Sequence, residues 1–548
     1  MKLCVLLKNV NCRILGNAAV EIKGLYHKDT EVKEGGLFFC LRGTKIDGSE
    51  FVKSAVSNGA VAVVTEQEIQ NLSKVTQVVV KDAREAMSLI SCRFFGEPAK
   101  KLKLIGVTGT NGKTTITNII SYALENCGVK SAVIGTNGVF VKGCRFDTGM
   151  TTPDPIELQR YLSFMVKNKI QVVCIEVSAH AGRLHKVDGV VFDVMVFTNL
   201  TEDHLDFFKN MEDYYLAKAN LFTQKYARFA VVNIDDTVFG KRLFESINLP
   251  KITYSIINES DYQAVNIKSE RIGQSFEVHE KKFNILLSGK FNVLNMLASI
   301  AVLDHLGISL EKSSDVLEKM EPVDGRFNLV DVCGVTVVVD YAHTPDGLKN
   351  ILVACREMTN SKKVISVFGC GGNRESQKRA IMGEISSKFA DFTVITSDNP
   401  RYEKREDIAK DIEKGVVNEN YCVELDRSAA IKKAILMAKE GDVVVVAGKG
   451  SESYIDENGV KLPYSDFAEI EKVRRELNGW CLLDYWKFCV CVFGHIGDFS
   501  FCDFNDQTRK NQAGYFELCW SSFRKKWNAN NGWNYFFDFH FNCFNDLF

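Results

Sequence analysis

Short apolar runs rich in valine and isoleucine recur along most of the chain, separated by longer segments whose apolar residues return every three or four positions. Continuous apolar runs of this length predict strands buried on both faces, and the intervening period predicts helices packed against them. Before residue 97 the runs are GLFFCL, AVAVVTE and TQVVVKD, which predict a separate small α/β domain over 1–97. From 98 to 322 the alternation predicts a doubly wound, mostly parallel sheet. A turn-like EPVDGR at 321–326 interrupts it, and VTVVVD, KVISVF, FTVITS and DVVVVAG then predict a third α/β domain over 323–479.

The last stretch, 480–548, follows neither the helix period nor strand alternation. It holds all 5 tryptophans of the 548-residue chain and ends in NYFFDFHFNCFNDLF. The readings open for it are a small accessory domain, an exposed aggregation-prone interaction tail, or sequence foreign to the natural product. No catalytic role is expected there.

Composition narrows the partners. The 68 basic and 69 acidic residues nearly cancel, so no global field draws nucleic acid or an anionic membrane to the protein. No run approaches the ~18 apolar residues of a spanning helix, and MKLCVLLKNVNC lacks a signal-peptide pattern, so a cytoplasmic protein without membrane insertion is expected. The 17 cysteines show no paired C-x-x-C spacing and are expected as free core thiols.

The chemistry concentrates where apolar runs end. GVTGTNGKTT at 106–115 follows one such run and opens a helical pattern. A turn of this kind, Gly109, Thr110, Asn111 and Gly112, presents backbone N–H groups to phosphate oxygens. Lys113 would reach the outer phosphates, and the hydroxyl of Thr114, with Thr115 beside it, would serve Mg²⁺. The usual first glycine of the phosphate-loop pattern is Val107 here, so the fit is imperfect. Other runs end in Glu176, Ser178 and His180; in Thr198, Asn199, Asp203 and His204; in Asp340 and His343; in Asp398 to Arg401; and in Lys449 and Glu452. Ligands of parallel sheets bind outside the carboxyl ends of strands, so these endings predict an ATP site facing a substrate site on a second domain. Glu176 and His204 are candidate ligands for Mg²⁺; taken alone, His204 reads more readily as a capping or core histidine. Lys218 lies in YYLAKANLF, where a solvated surface lysine is the default reading; its apolar neighbours weaken that default, since a desolvated lysine is more readily neutral and nucleophilic.

GTNGKTT, TTPDP (151–155), EVSAH (176–180), FTNLTEDHLDF (197–207), AKANLF (217–222), GKFNVLN (289–295), DYAHTPDGL (340–348), GCGGNRESQKR (369–379), SDNPR (397–401) and GKGSE (448–452) together resemble the Mur ligases. The resemblance spans about residues 20–478. It implies a three-domain α/β architecture with a central P-loop ATPase domain and a Rossmann-like C-terminal domain. It also implies a monomeric enzyme that uses ATP and Mg²⁺ to activate the carboxylate of a UDP-linked muramoyl peptide as an acyl phosphate, which an amine then attacks. By the resemblance, Lys113, Glu176, His204 and Lys218 are catalytic. Thr114, Glu176, His204 and a carbamylated Lys218 would hold metal. Asn292, Asn295, Arg326, Asp340, Tyr341 and His343 embrace the nucleotide, and Thr151, Thr152, Ser178 and Lys186 meet the UDP-peptide.

Within the family, SDNPR resembles the motif of members that add meso-diaminopimelate to UDP-MurNAc-L-Ala-D-Glu. Diaminopimelate carries a distal carboxylate that lysine lacks, and a guanidinium grips a carboxylate through two hydrogen bonds. Arg401 supplies that group; Arg379, Asp398, Asn399, Pro400, Gly448 and Glu452 are the other expected contacts, Glu452 facing the distal ammonium. The chain departs from the family pattern at Lys186, at Lys28-Asp29-Thr30, at Asn373 and at Ser451. The alternatives are the same reaction with L-lysine or another amine, a folylpolyglutamate synthase relative, and a nucleotide-binding interaction protein of weak activity.

Overall fold

The computed structural model describes residues 1–43, 47–72, 75–270, 273–358 and 362–478, and the aromatic stretch from 480 onward lies outside the described residues. Residues Met1–Asn478 form one compact unit.

Three principal sheets follow one another along this unit. The first has five strands, Cys12–Leu15, Gly24–Tyr26, Gly36–Phe39, Ala60–Thr65 and Thr76–Val80, covered by helix α1 (Ala83–Phe94). Asp82 caps α1 by accepting from the amides of Arg84 and Glu85, and a core of Leu37, Phe39, Val64 and Val78 packs on Ala86, Met87 and Ile90.

The second sheet has nine strands. Six of them are β1 (Lys103–Thr108), β2 (Ser131–Gly135), β3 (Val172–Glu176), β4 (Val194–Phe197), β5 (Ala230–Asn233) and β6 (Lys251–Ser255). These are mutually parallel in the spatial order β6-β5-β4-β1-β3-β2, and an antiparallel pair extends the β2 edge. Their residues are buried on both faces, which is why they read as unbroken apolar runs. Helix α2 (Lys113–Asn126) follows β1 directly, α3 (Met211–Ala219) lies after β4, and α4 (Lys290–His305) packs on α2. A three-stranded antiparallel sheet over residues 265–285 precedes α4; the alternation in the sequence did not separate it from the parallel set.

In the third, six-stranded sheet, β7 (Val335–Asp340), β8 (Val364–Phe368), β9 (Phe392–Ile395) and β10 (Val443–Ala447) are parallel in the order β7-β10-β8-β9. Helices α5 (Pro345–Met358), α6 (Gln377–Phe389) and α7 (Arg427–Met437) cover it. Register brings functional positions level: in the central sheet Glu176 pairs with Val107, and Phe197 with Thr108. The segments leaving β1, β3 and β4 therefore emerge side by side. Among the described residues no helix is long and apolar enough to cross a membrane.

Candidate functional site

The loop between β1 and α2 owes its shape to two glycines. Gly109 sits at φ +149°, and a Cβ there would fall 1.8 Å from the Thr198 hydroxyl; Gly112 sits at φ +88°, with the Asn295 side-chain oxygen 2.4 Å from where a Cβ would be. Asn199 fixes the loop from β4, its backbone carbonyl accepting from the Thr110 amide and its side-chain oxygen from the Asn111 amide, both at 2.9 Å. Thr198 donates to the Asn111 carbonyl at 2.6 Å. The first amides of α2, from Lys113 onward, have no partner one turn back, which leaves donors for an anion at this end.

Lys113 folds over its own loop, donating to the carbonyls of Gly109 at 2.9 Å and Thr110 at 2.8 Å. Lys218, 1% exposed on α3, donates to the same Gly109 carbonyl at 2.8 Å. Burial lowers the pKa of both lysines; that of Lys218 falls well below the usual value, first through burial and then through the neighbouring Lys113 charge. Glu176, 1% exposed at the end of β3, accepts from the Thr114 hydroxyl at 2.9 Å and from the Thr136 amide and hydroxyl at 2.9 and 3.1 Å. Thr136 carried no motif signal; it is found only because the β2 edge lies beside β3.

His204 stands at φ +60°, its ring edge-on to His180 at 4.9 Å and its Nε2 3.3 Å from Asp203. Burial, together with His180 and the two lysines, pushes the His204 pKa down against the pull of Asp203. Burial would raise the Asp203 carboxyl, but His204, His343 and Lys378 outweigh it and hold it below the usual range. Among the described residues no group of three or more His, Cys, Asp or Glu side chains is placed to hold a metal ion. The donors present that suit a hard cation are a hydroxyl and a carboxylate paired at Thr114 and Glu176, and, at the Gly109 carbonyl of the same loop, the buried amine of Lys218, which carbamylation would turn into an oxygen donor.

The third sheet contributes directly. Arg326 donates to the Thr114 hydroxyl at 3.1 Å and lies 4.4 Å over the Tyr341 ring. Asp340 is shaped by the amides of Phe327 and Ala342 at 2.8 and 2.7 Å, and burial raises its pKa. His343 Nδ1 meets the Tyr341 carbonyl at 2.9 Å. Asn111 donates to Asp346 at 2.9 Å, a partner the motif did not reveal. On α4, Asn295 donates to Asn292 at 3.0 Å, which in turn donates to the Ser288 carbonyl at 2.8 Å.

Around Ser178 a further polar cluster forms. Thr152 donates to the Glu176 carbonyl at 2.8 Å and receives the Ser178 amide at 3.1 Å, while Thr151 and Thr136 meet through their hydroxyls at 3.1 Å. Lys186 is 8% exposed, paired with Asp154 at 3.0 Å and donating to the Thr152 carbonyl at 3.1 Å. Between strands of the first sheet, Lys28, Asp29 and Thr30 line a cavity of about 330 Å³ with Phe38 and Phe51.

The loops after β9 and β10 meet in a third cluster. Asn399 donates to Glu452 at 2.9 Å, and Lys449, fully buried, donates to Asn399 at 2.9 Å and to Glu452 at 3.1 Å. Gly448 approaches Asp398 so closely that a Cβ would lie 2.6 Å from its carboxylate. Arg401 adopts φ +52° and donates to the Gly372 carbonyl at 2.8 Å, keeping about a quarter of its side chain exposed. Arg379, on α6, has a buried guanidinium that meets Glu403 at 2.8 Å and Asp411 at 3.0 Å and leaves its Nε without a partner among the described residues. Ser451 closes the circuit, donating to Asn137 at 3.0 Å, next to Thr136.

A phosphate cradle on one sheet, met by an arginine and an acid-amide-lysine cluster from another, defines a nucleotide-dependent ligase site, and comparison with known proteins gives the family. The Mur ligase middle domain matches residues 107–303, the Mur ligase glutamate ligase domain 325–450 and the Mur ligase family catalytic domain 21–95. The UDP-N-acetylmuramoyl-L-alanyl-D-glutamate--2,6-diaminopimelate ligase 1 of Clostridium acetobutylicum is 44% identical over 462 residues, covering 83% of this chain and 95% of that one. The corresponding ligase of Syntrophomonas wolfei is 41% identical over 467 residues, with coverage of 83% and 95%. A solved structure of a UDP-N-acetylmuramoyl-L-alanyl-D-glutamate--2,6-diaminopimelate ligase superimposes with a TM-score of 0.62 at 29% identity, covering 87% of this chain and 100% of that one. The chain belongs to the Mur ligase family, whose members are ATP-dependent ligases.

Proposed function

We propose that the protein joins meso-diaminopimelate to the D-glutamate carboxylate of UDP-MurNAc-L-Ala-D-Glu at the expense of ATP. The observation that carries this reading is the contact of Ser451 with Asn137 at 3.0 Å. Through it the loop bearing Glu452 adjoins Thr136, whose hydroxyl binds Glu176, whose carboxylate binds Thr114. The amine site and the phosphate cradle are thus neighbours.

In the first half-reaction a carboxylate oxygen of the peptide attacks the γ-phosphorus, and the bond to the β-phosphate oxygen breaks to release ADP. Lys113 exchanges its loop carbonyls for phosphate oxygens and offsets the charge that gathers there. In the second, the amine lone pair attacks the acyl carbon, the carbon–oxygen bond to phosphate breaks, and the amine loses its proton. Asn399 and Glu452, held by Lys449, orient the ammonium end of the amino acid. Arg401 receives the distal carboxylate. Thr114, Glu176, His204 and a carbamylated Lys218 would hold Mg²⁺, which supplies charge neutralisation at the transferring phosphoryl group. Contacts such as Arg326 to Thr114 keep water from the acyl phosphate. We place the reaction in the cytoplasm, where its nucleotide substrates are found, and a monomer contains every group required.

The test compares meso-diaminopimelate with L-lysine as amine, with product mass as readout. Tripeptide with diaminopimelate and little with lysine supports the assignment; preference for lysine overturns the role given to Arg401.

A further inference from the structure

Arg427 opens helix α7 and is completely buried, as is Asp466, with which it forms a two-pronged ion pair at 2.7 and 2.8 Å. An ion pair removed this far from water is a weak source of stability, since apolar residues of similar volume do as well or better. Its geometry suggests another use. The remaining donors of Arg427 reach two backbone carbonyls, Ala447 at 3.0 Å and Ser397 at 3.3 Å.

Those carbonyls stand at critical points. Ala447 is the last residue of β10 and immediately precedes Gly448 and Lys449; Ser397 lies just past β9 and immediately precedes Asp398, Asn399, Pro400 and Arg401. In the sheet, β9 and β10 are not neighbours, because β8 runs between them. No ladder hydrogen bond can set the distance between the two loops. Besides the side-chain bonds of Asn399 to Lys449 and Glu452, the planar guanidinium of Arg427, itself fixed by Asp466, spans that gap from backbone to backbone.

We propose that Arg427 is a positioning residue for the amine substrate: it sets the loop of Asn399 and Arg401 relative to the loop of Lys449 and Glu452, so that both ends of the amino acid are met at once. This rests on the placement of the amine site proposed above. Lysine cannot replace it, because one ammonium on a flexible stem lacks the fork that meets Asp466 and both carbonyls together.

The test uses the full chain with Arg427→Lys, which keeps a cation against Asp466, and Arg427→Met/Asp466→Leu, which removes both charges and leaves neither one stranded. In each variant KM for meso-diaminopimelate rises about tenfold or more, while KM for ATP and for UDP-MurNAc-L-Ala-D-Glu stays within about twofold. Independently of turnover, amide hydrogen exchange quickens at 398–401 and 448–452 and not at 109–115. Unchanged exchange in these two loops, an unchanged amine KM, or a parallel rise in all three KM values overturns the proposal. Wild-type protein that joins no diaminopimelate overturns instead the functional reading on which it rests, and the exchange measurement still decides whether Arg427 couples the loops.

Discussion

Arg326 and Thr114, 212 positions apart, share a hydrogen bond of 3.1 Å in which the guanidinium of one sheet's leading segment reaches the hydroxyl at the start of α2. The same hydroxyl donates to Glu176 at 2.9 Å. One side chain therefore links the cradle, the β3 carboxylate and the third sheet.

Replacing Arg326 with alanine removes the cation that donates to Thr114 at the start of α2. A hydrogen bond to a charged group contributes ~1.5–3 kcal/mol, so KM for ATP in Arg326→Ala should rise about 10- to 100-fold. Steady-state phosphate release with both other substrates saturating measures it. An unchanged KM would mean that the contact to Thr114 plays no part in holding the nucleotide.

Gly109→Ala should abolish turnover. Its φ of +149° and the Thr198 hydroxyl 1.8 Å from the Cβ position leave no room without moving the loop. Direct binding of an ATP analogue by calorimetry is the check, and wild-type affinity in this variant would contradict the role assigned to the loop.

Lys218, buried beside Lys113 with both donating to the Gly109 carbonyl, has its pKa lowered well below 10.5 by burial and by its neighbour. A neutral amine adds to carbon dioxide to give a carbamate with loss of a proton. With ¹³C-labelled bicarbonate, NMR should show a carbamate carbon that disappears in Lys218→Arg. Absence of the signal from active wild-type protein would leave Lys218 as an unmodified lysine.

The junction between the first two sheets should respond to pH. His185 pairs with Asp188 at 3.0 Å, and Asp188 also accepts from Lys225 at 2.9 Å and from Tyr226. On α1, Ser88 donates to the His185 carbonyl, and Asp82 lies 3.7 Å from Nε2. The hydrogen bond to Asp188 raises the His185 pKa above 6.5 against the opposing effect of burial, with Asp82 and Glu85 assisting. A raised folded pKa adds stability that is complete below the unfolded value and fades as pH climbs through the folded one. Exchange at α1 amides should therefore accelerate above pH ~6.5 relative to the global rate, and His185→Gln should flatten that dependence. Equal profiles for the two proteins would mean that the His185–Asp188 pair does not make the junction sensitive to pH.

The sequence made the parallel α/β layers legible because strands buried on both faces must be apolar throughout, as in Val443–Ala447 and Val172–Glu176. The cradle was legible because phosphate geometry demands glycines and a lysine at close spacing. What stayed hidden depends on pairing between distant segments. Thr136 matters only because it meets Glu176, Asp346 because it meets Asn111, and Asp466 because it completes Arg427. The ion pairs of Arg379 with Glu403 and Asp411 were hidden for the same reason, since its motif position says nothing of those two partners.

The central claim is that the peptide carboxylate is activated by phosphorylation before diaminopimelate attacks. UDP-MurNAc-L-Ala-D-Glu labelled with ¹⁸O in the glutamate α- and γ-carboxylates, incubated with the protein, ATP, Mg²⁺ and meso-diaminopimelate, tests it in one step. One labelled oxygen is expected in each inorganic phosphate released, matched by one tripeptide. Amide product accompanied by unlabelled phosphate would contradict it.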